Sequence, residues 1–128
     1  RNKLIPKLFS ALPNEEIHFS PGKQKLNFVY IDDIIEGYVV ALKRIEKTKT
    51  STYKIYNLFH ETDFTLRQIF QIFNTLSQKS LRAKWGTLAY YPLAIMSPYK
   101  SKKLPNWKAK TSLMEGFNKI LNYRKSAI

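Results

Sequence analysis

The stretch SPGKQKLNFVYIDDIIEGYVVAL, residues 20–42, decides how the rest of the chain is read. Pro21-Gly22 is a turn signal, because Gly22 can take a positive φ without steric cost. Leu26 to Ile31 (LNFVYI) is dense in β-formers and reads as a strand. Asp33, followed three residues later by Glu36, has the form of a capping box, in which the two side chains answer the free amides of a helix start. Ile34, Ile35, Tyr38, Val39, Leu42 and Ile45 then recur at helical spacing. The helix is expected to end in the Lys43–Lys49 region, where cations suit the negative end of its dipole.

Working outward, Leu4, Ile5, Leu8, Phe9 and Leu12 form one helical face, with Pro6 in the first turn and Pro13-Asn14 as the stop. Glu16 to Ser20 reads as a short strand, and Lys47 to Ser51 as a polar loop. Thr52 to Phe59 reads as a buried or half-buried strand. Thr65-Leu66-Arg67-Gln68 is a second capping box, opening a helix that carries Leu66, Ile69, Phe70, Ile72, Phe73 and Leu76. Lys79 to Lys103 lacks a clean period and reads as irregular chain with a short strand near Ala83–Trp85. Ser112-Leu113-Met114-Glu115 is a third capping box, before a face made of Leu113, Met114, Phe117, Ile120 and Leu121. Helix starts separated by strands predict an α/β arrangement, with no internal repeat and no domain boundary.

At 128 residues and 44% hydrophobic, the chain can build a core and is no disordered tail. With 22 Lys+Arg against 9 Asp+Glu, a net charge of +13 permits an anionic partner without choosing one. The absence of cysteine excludes a disulfide framework, a thiolate nucleophile and a Cys-based zinc site. His18 and His60 lack ligand spacing, so no metal is expected. No apolar run approaches the roughly 18–20 residues of a membrane span, and no export signal is visible, so a cytoplasmic chain without membrane partners is expected. The sequence opens at Arg1 with its hydrophobic pattern already running, which points to a segment missing upstream.

Catalytic chemistry is sparse. The four glycines, at positions 22, 37, 86 and 116, do not cluster into a dinucleotide or P-loop fingerprint. Asp33 reads as a cap with Asp32 as its solvated neighbour, and each histidine reads as a surface or hydrogen-bonded residue without a partner for proton transfer. Tyr99 and Lys103 have a Tyr-x-x-x-Lys spacing, but Pro98 and Pro105 make the segment a loop, where the pair cannot work. The basic residues are dispersed. Lys100 to Lys110, with Tyr99 and Trp107, is the best candidate for a basic patch.

The order of segments carries a resemblance. RNKLIPKLFSALPNEEIHFSPGKQKLNFVYIDDIIEGYVVAL, then YKIYNLFHETDFTLRQIFQIF, then LPNWKAKTSLMEGFNKIL resembles the C-terminal part of extended short-chain dehydrogenase/reductases, the NAD-dependent epimerases and dehydratases of nucleotide sugars. The turn SPGKQKLNFVYIDD is most similar to the branch with CDP-abequose and CDP-paratose synthases. The resemblance implies an α/β C-terminal lobe spanning residues 1–128, with few strands, three to four helices and the Rossmann glycine-loop half absent. It implies that the NAD or NADP site and the catalytic Tyr-x-x-x-Lys helix lie outside the chain, which itself holds no cofactor and no catalytic residue. It implies a nucleotide-diphosphate sugar as ligand, the missing Rossmann half as partner and a homodimer in the full-length enzyme.

Carried over by position, the substrate-binding residues implied are Lys3, Leu4 and Ile5 of the KLIP segment, Gln24 in the turn that holds Gly22, and Gly86, Tyr90 and Tyr91. Three slots, in two segments, depart from the family pattern. Leu26 stands where many members have Arg, and Tyr91 and Ala94 stand where a pattern of Arg and Glu is found. Tyrosine lacks the paired N–H donors with which Arg grips a diphosphate, so weak diphosphate affinity is expected unless nearby lysines compensate. The resulting expectation is a nucleotide-sugar-binding part that is not catalytic alone. The alternatives are a degraded remnant, exposing apolar surface around Leu4, Phe28 and Tyr56, and a basic nucleic-acid-binding module.

Overall fold

The computed structural model describes residues 3–49, 51, 53–91 and 94–126. In chain order the elements are α1 (Leu4–Ser10), β1 (Glu16–Phe19), β2 (Lys25–Leu26), α2 (Ile31–Glu46), β3 (Phe64–Thr65), α3 (Leu66–Ser77), β4 (Arg82–Trp85) and α4 (Leu113–Ser126). Pro6 sits in the first turn of α1, where its missing N–H leaves no bond unmade. Strand β1 runs parallel to β4, with Ile17 opposite Ala83 and Phe19 opposite Trp85. A parallel pair needs a long crossover, and the chain from β2 to α3 supplies it. Strand β2 pairs antiparallel with β3, Lys25 opposite Thr65 and Leu26 opposite Phe64.

Local chemistry starts α3 and α4. Thr65 Oγ1 accepts the Gln68 N–H at 3.2 Å and Gln68 Oε1 accepts the Thr65 N–H at 2.8 Å. Ser112 Oγ accepts from the Glu115 N–H at 3.2 Å, and Glu115 Oε2 accepts from the Ser112 N–H at 2.8 Å. Both are reciprocal boxes that satisfy amides a helix start leaves bare.

The main core lies between β1, α1, α3 and α4 and holds Leu8, Phe9, Ile17, Phe19, Ile69, Phe70, Phe73 and Phe117. Phe9, Phe73 and Phe117 meet edge-to-face with centroids 4.9–6.0 Å apart. Phe19 stacks on Trp85 at 4.9 Å, and Phe70 meets both edge-on. Such pairs add about 0.5–1.5 kcal/mol each to the area they bury. A second cluster, of Leu104, Trp107 and Ala109, takes Val29, Val40, Ala41, Tyr56 and Leu58 against it. Gly37 lets α2 lie close to this cluster, since a Cβ there would stand 2.6 Å from Leu58 Cδ1.

Asp33 joins the two regions. It is the buried charged residue of the described core, 4% exposed. Its Oδ2 accepts backbone N–H groups of Lys110 at 3.1 Å and Thr111 at 2.9 Å, and its carbonyl oxygen accepts the Trp107 indole N–H at 2.8 Å. It is therefore no N-cap. The helix starts two residues earlier, at Ile31, behind Tyr30, which makes no side-chain cap, and Glu36 bonds Lys110 instead of closing a box.

Several other expectations are corrected. Of Leu26–Ile31 only Leu26 is in a strand, because the residues after it have no pairing partner among the described residues. Within Thr52–Phe59, Thr52 lies outside the described residues, and the remainder makes one isolated bridge, Asn57 to Lys103, rather than a strand. Leu12 falls beyond α1 and is 71% exposed. Of the α2 apolar set, Ile34 turns inward with Val40 and Ala41, whereas Ile35, Tyr38, Val39, Leu42 and Ile45 are exposed together with Ile31. Leu4 and Phe28 pack on the main core and Tyr56 on the second cluster, whereas α2 carries a stripe of bare apolar surface. No helix of the described residues is long and apolar enough to cross a membrane.

Replacing Asp33 by Ala strands two backbone donors and should lower the unfolding free energy by about 1–3 kcal/mol. The same change at exposed Asp32 should stay within about 0.5 kcal/mol. Urea denaturation of the two variants checks both values.

Acid should unfold the chain through four carboxyls. The Lys84 hydrogen bond holds Glu16 low, the Lys103 hydrogen bond does so for Glu61, and the Ser112 amide for Glu115. For Asp63 burial pushes upward, but hydrogen bonds from Asn27 and Lys100 outweigh it. A carboxyl lowered in the fold stabilises it above the unfolded value and stops doing so as pH falls through the folded one. The melting temperature should be level from about pH 7 to 5 and fall progressively at more acid pH, as followed by circular dichroism.

Candidate functional site

The segment after β1 is tied down by the start of α3. The Leu66 N–H donates to Gln24 O at 3.1 Å, the Arg67 N–H to Gly22 O at 3.4 Å, and Arg67 Nε to Pro21 O at 2.8 Å. Gly22 takes φ +74°, and the Trp85 ring fills the space a side chain would need. On the other side, the Leu88 N–H donates to Phe19 O at 3.2 Å, and the Lys23 N–H to the Tyr90 hydroxyl at 3.2 Å. These bonds hold segments that line a cavity of about 340 Å³, with Phe19 and Leu66 in its apolar lining and α1 and residues 88–91 contributing to its walls.

Four of the residues expected to bind substrate meet in this cavity: Leu4, Gln24, Tyr90 and Tyr91. Three do not. Lys3 is exposed at the head of α1, Ile5 faces a separate hollow beside Phe28 and Phe117, and Gly86 lies in the turn after β4 with open space beside it. Lys7, His18 and Ser20 also line the cavity and were not among the expected binders. Lys7 was legible in principle, because it stands three residues after Leu4 on one helical face. His18 and Ser20 offered no spacing signal; β1 and its turn bring them there.

The polar lining is suited to binding. Gln24 Nε2 donates to Ser20 Oγ at 3.3 Å, while its Oε1 is buried without a partner among the described residues. Lys7 Nζ reaches the His18 carbonyl at 3.4 Å and stands 5.4 Å from the Phe19 ring centre. His18 does have a carboxyl neighbour, contrary to expectation: Nε2 is 3.4 Å from Glu16, and Nδ1 is 3.0 Å from Thr87 Oγ1. The trio is exposed, Glu16 is held by Lys84 at 3.0 Å, and the Thr87 hydroxyl also donates to the Lys84 carbonyl. It ties β1 to the turn after β4 and shows no activated nucleophile.

Part of the remaining charge is structural. Lys100 pairs with Asp63, Lys103 with Glu61 and Lys110 with Glu36, and Trp107 is buried. The expected basic patch at Lys100–Lys110 is therefore largely neutralised. Two hollows of about 380 and 420 Å³ share Arg44 near the end of α2, where Lys43 and Arg44 complement the helix dipole.

No protein-family model matches the chain. Curated relatives do. The chain is 34% identical over 119 residues to CDP-abequose synthase of Yersinia pseudotuberculosis, covering 90% of this chain and 39% of the relative. It is 31% identical over 115 residues to UDP-glucuronate 4-epimerase of Thermodesulfobacterium geofontis, covering 86% of this chain and 33% of the relative. The fold matches UDP-glucuronic acid 4-epimerase from Bacillus cereus, solved with UDP-glucuronic acid and NAD, with a TM-score of 0.73 at 23% identity over 98% of this chain and 39% of that one. It also matches UDP-N-acetylglucosamine 4-epimerase from Methanobrevibacter ruminantium M1, with a TM-score of 0.74 at 17% identity over 98% of this chain and 40% of that one.

The chain is a relative of the extended short-chain dehydrogenase/reductases. It spans a third to two fifths of the length of the curated relatives it matches, and that coverage fits their C-terminal part. The α/β architecture of four helices and few short strands agrees with that placement.

Gly22 turns the chain between the lining residues Ser20 and Gln24. Gly22→Ala forces a side chain at positive φ against Trp85 and should cost about 1–3 kcal/mol. Denaturation measures the loss, and a shifted tryptophan emission should accompany it.

Proposed function

We propose that this chain is the nucleotide-sugar-binding part of an NAD(P)-dependent epimerase, dehydratase or reductase, and that it is not catalytic by itself. The observation that carries this reading is the convergence of Leu4, Gln24, Tyr90 and Tyr91 on one cavity, from three segments far apart in sequence. The cavity, at about 340 Å³, lies in the range of small-molecule sites. Its apolar lining suits a base or sugar face, and its Gln24 amide, Tyr90 hydroxyl and Lys7 ammonium suit hydroxyl and phosphate groups. The chain's role is then to bind and orient, holding the sugar for a hydride transfer performed elsewhere.

The residues present do not fit a nicotinamide dinucleotide. A pyrophosphate needs clustered glycines at a strand-to-helix turn. Here Gly22 is closed off by Trp85, Gly37 by Leu58 and Gly116 lies beside Tyr30. The cofactor loop and the catalytic Tyr-x-x-x-Lys helix belong, in this reading, to a Rossmann half outside these residues. The bare stripe of α2 supports that partner. Ile31, Ile35, Tyr38, Leu42 and Ile45 recur at helical spacing and are each more than half exposed. A lone soluble helix keeps such a face inward. The substrate is a nucleoside-diphosphate sugar, the compartment is the cytoplasm, and the assembled enzyme is a homodimer. A second reading, a remnant without activity, is favoured by Tyr91 and Ala94 in the slots where the family pattern has Arg and Glu.

Calorimetric titration of the 128-residue chain separates these readings. CDP- or UDP-sugars should bind with a Kd of about 1 mM or tighter, and NAD should give no heat. Tight NAD binding would contradict the proposal, and failure of every nucleotide sugar to bind would leave the remnant.

A further inference from the structure

We propose that Lys7 is the residue that anchors the diphosphate in the cavity, replacing the Arg that the family pattern leads one to expect near Tyr91. The inference rests on the nucleotide-sugar reading above and deepens it. A diphosphate entering this cavity loses hydration and needs a cation in exchange. Among the described lining residues Lys7 supplies the one permanent positive charge. Leu26, Tyr91 and Ala94, in the slots where the pattern departs, carry none.

Lys7 is also a lysine whose ammonium is left available at the cavity itself. Lys79, by contrast, is a structural lysine: its Nζ donates to the carbonyls of Phe9 at 2.8 Å and Ala11 at 2.7 Å. Lys84 is held by Glu16 at 3.0 Å. Lys7 makes no ion pair among the described residues, and its one hydrogen bond, to His18 O, is long at 3.4 Å. That leaves two of three N–H donors without a protein acceptor. Its ammonium lies near the Phe19 ring in the cavity lining, and its backbone sits one helical turn after Leu4, another lining residue. The side chain is therefore half-buried at the pocket, where an ammonium gains more from an anion than a fully solvated one does.

The test uses the 128-residue chain titrated with CDP, UDP and the matching nucleosides cytidine and uridine. Lys7→Gln should weaken the diphosphates about tenfold and leave the nucleosides unchanged, while Lys7→Arg should stay within about threefold of the parent. Lys49→Gln removes the same charge from an exposed site beyond the end of α2, away from the cavity, and should change binding less than about twofold, which separates a local anchor from general charge. Circular dichroism melting should show the Lys7→Gln variant folded as the parent is. Equal diphosphate binding by Lys7→Gln and Lys49→Gln, with the parent binding normally, overturns the inference and leaves the nucleotide-sugar reading standing. A parent that binds neither diphosphate overturns both.

Discussion

The structure depends on one buried carboxyl group. Asp33 sits in the first turn of α2, yet it bonds the backbone of Lys110 and Thr111, more than seventy residues later. Its carbonyl takes the Trp107 indole N–H as well. One residue thus fixes where α2 lies, where residues 107–111 turn, and where α4 begins. The second cluster forms around these bonds, with Leu104, Trp107 and Ala109 covered by α2 and by Tyr56 and Leu58. A buried polar group of this kind is stabilising only while every bond is made, so it also selects one arrangement against near alternatives.

The cavity inherits its shape from the other side of the molecule. The parallel pair β1–β4 places Phe19 beside Trp85, and Arg67 lies over the Trp85 ring at 5.0 Å. The same Arg67 holds the Pro21 carbonyl, so the helix that builds the core also sets the binding turn. Stability and site are coupled here through α3. Residues 88–91 lack regular structure but are fastened to Phe19 and Lys23.

Local chemistry was legible in the sequence and distant chemistry was not. The boxes at Thr65 and Ser112 need only residues three apart, and both occur as read. Asp33 and Glu36 have the same spacing, but Lys110 and Thr111 recruit them, and no local pattern encodes that. The β-rich runs after Leu26 and before Phe59 had propensity without partners, and propensity yields to pairing. The period of α2 was right, but periodicity identifies a face without saying what covers it, and most of this face is exposed. At the site, Leu4, Gln24, Tyr90 and Tyr91 came together in the lining of one cavity. Lys3, Ile5 and Gly86 did not, because neighbours in sequence on a helix or turn point to different sides. Lys7 was hidden among dispersed charges and became distinct only when the fold placed it, without an ion pair among the described residues, in the lining of the cavity.

The chain's two tryptophans stand in separate environments. Trp85 is half-buried and stacked on Phe19, a lining residue of the cavity, while Trp107 is buried and hydrogen-bonded within the second cluster. Each indole is consequently an intrinsic optical probe of one region. Quenching by a solute in water reaches the first more readily than the second, so the two clusters carry their own built-in labels.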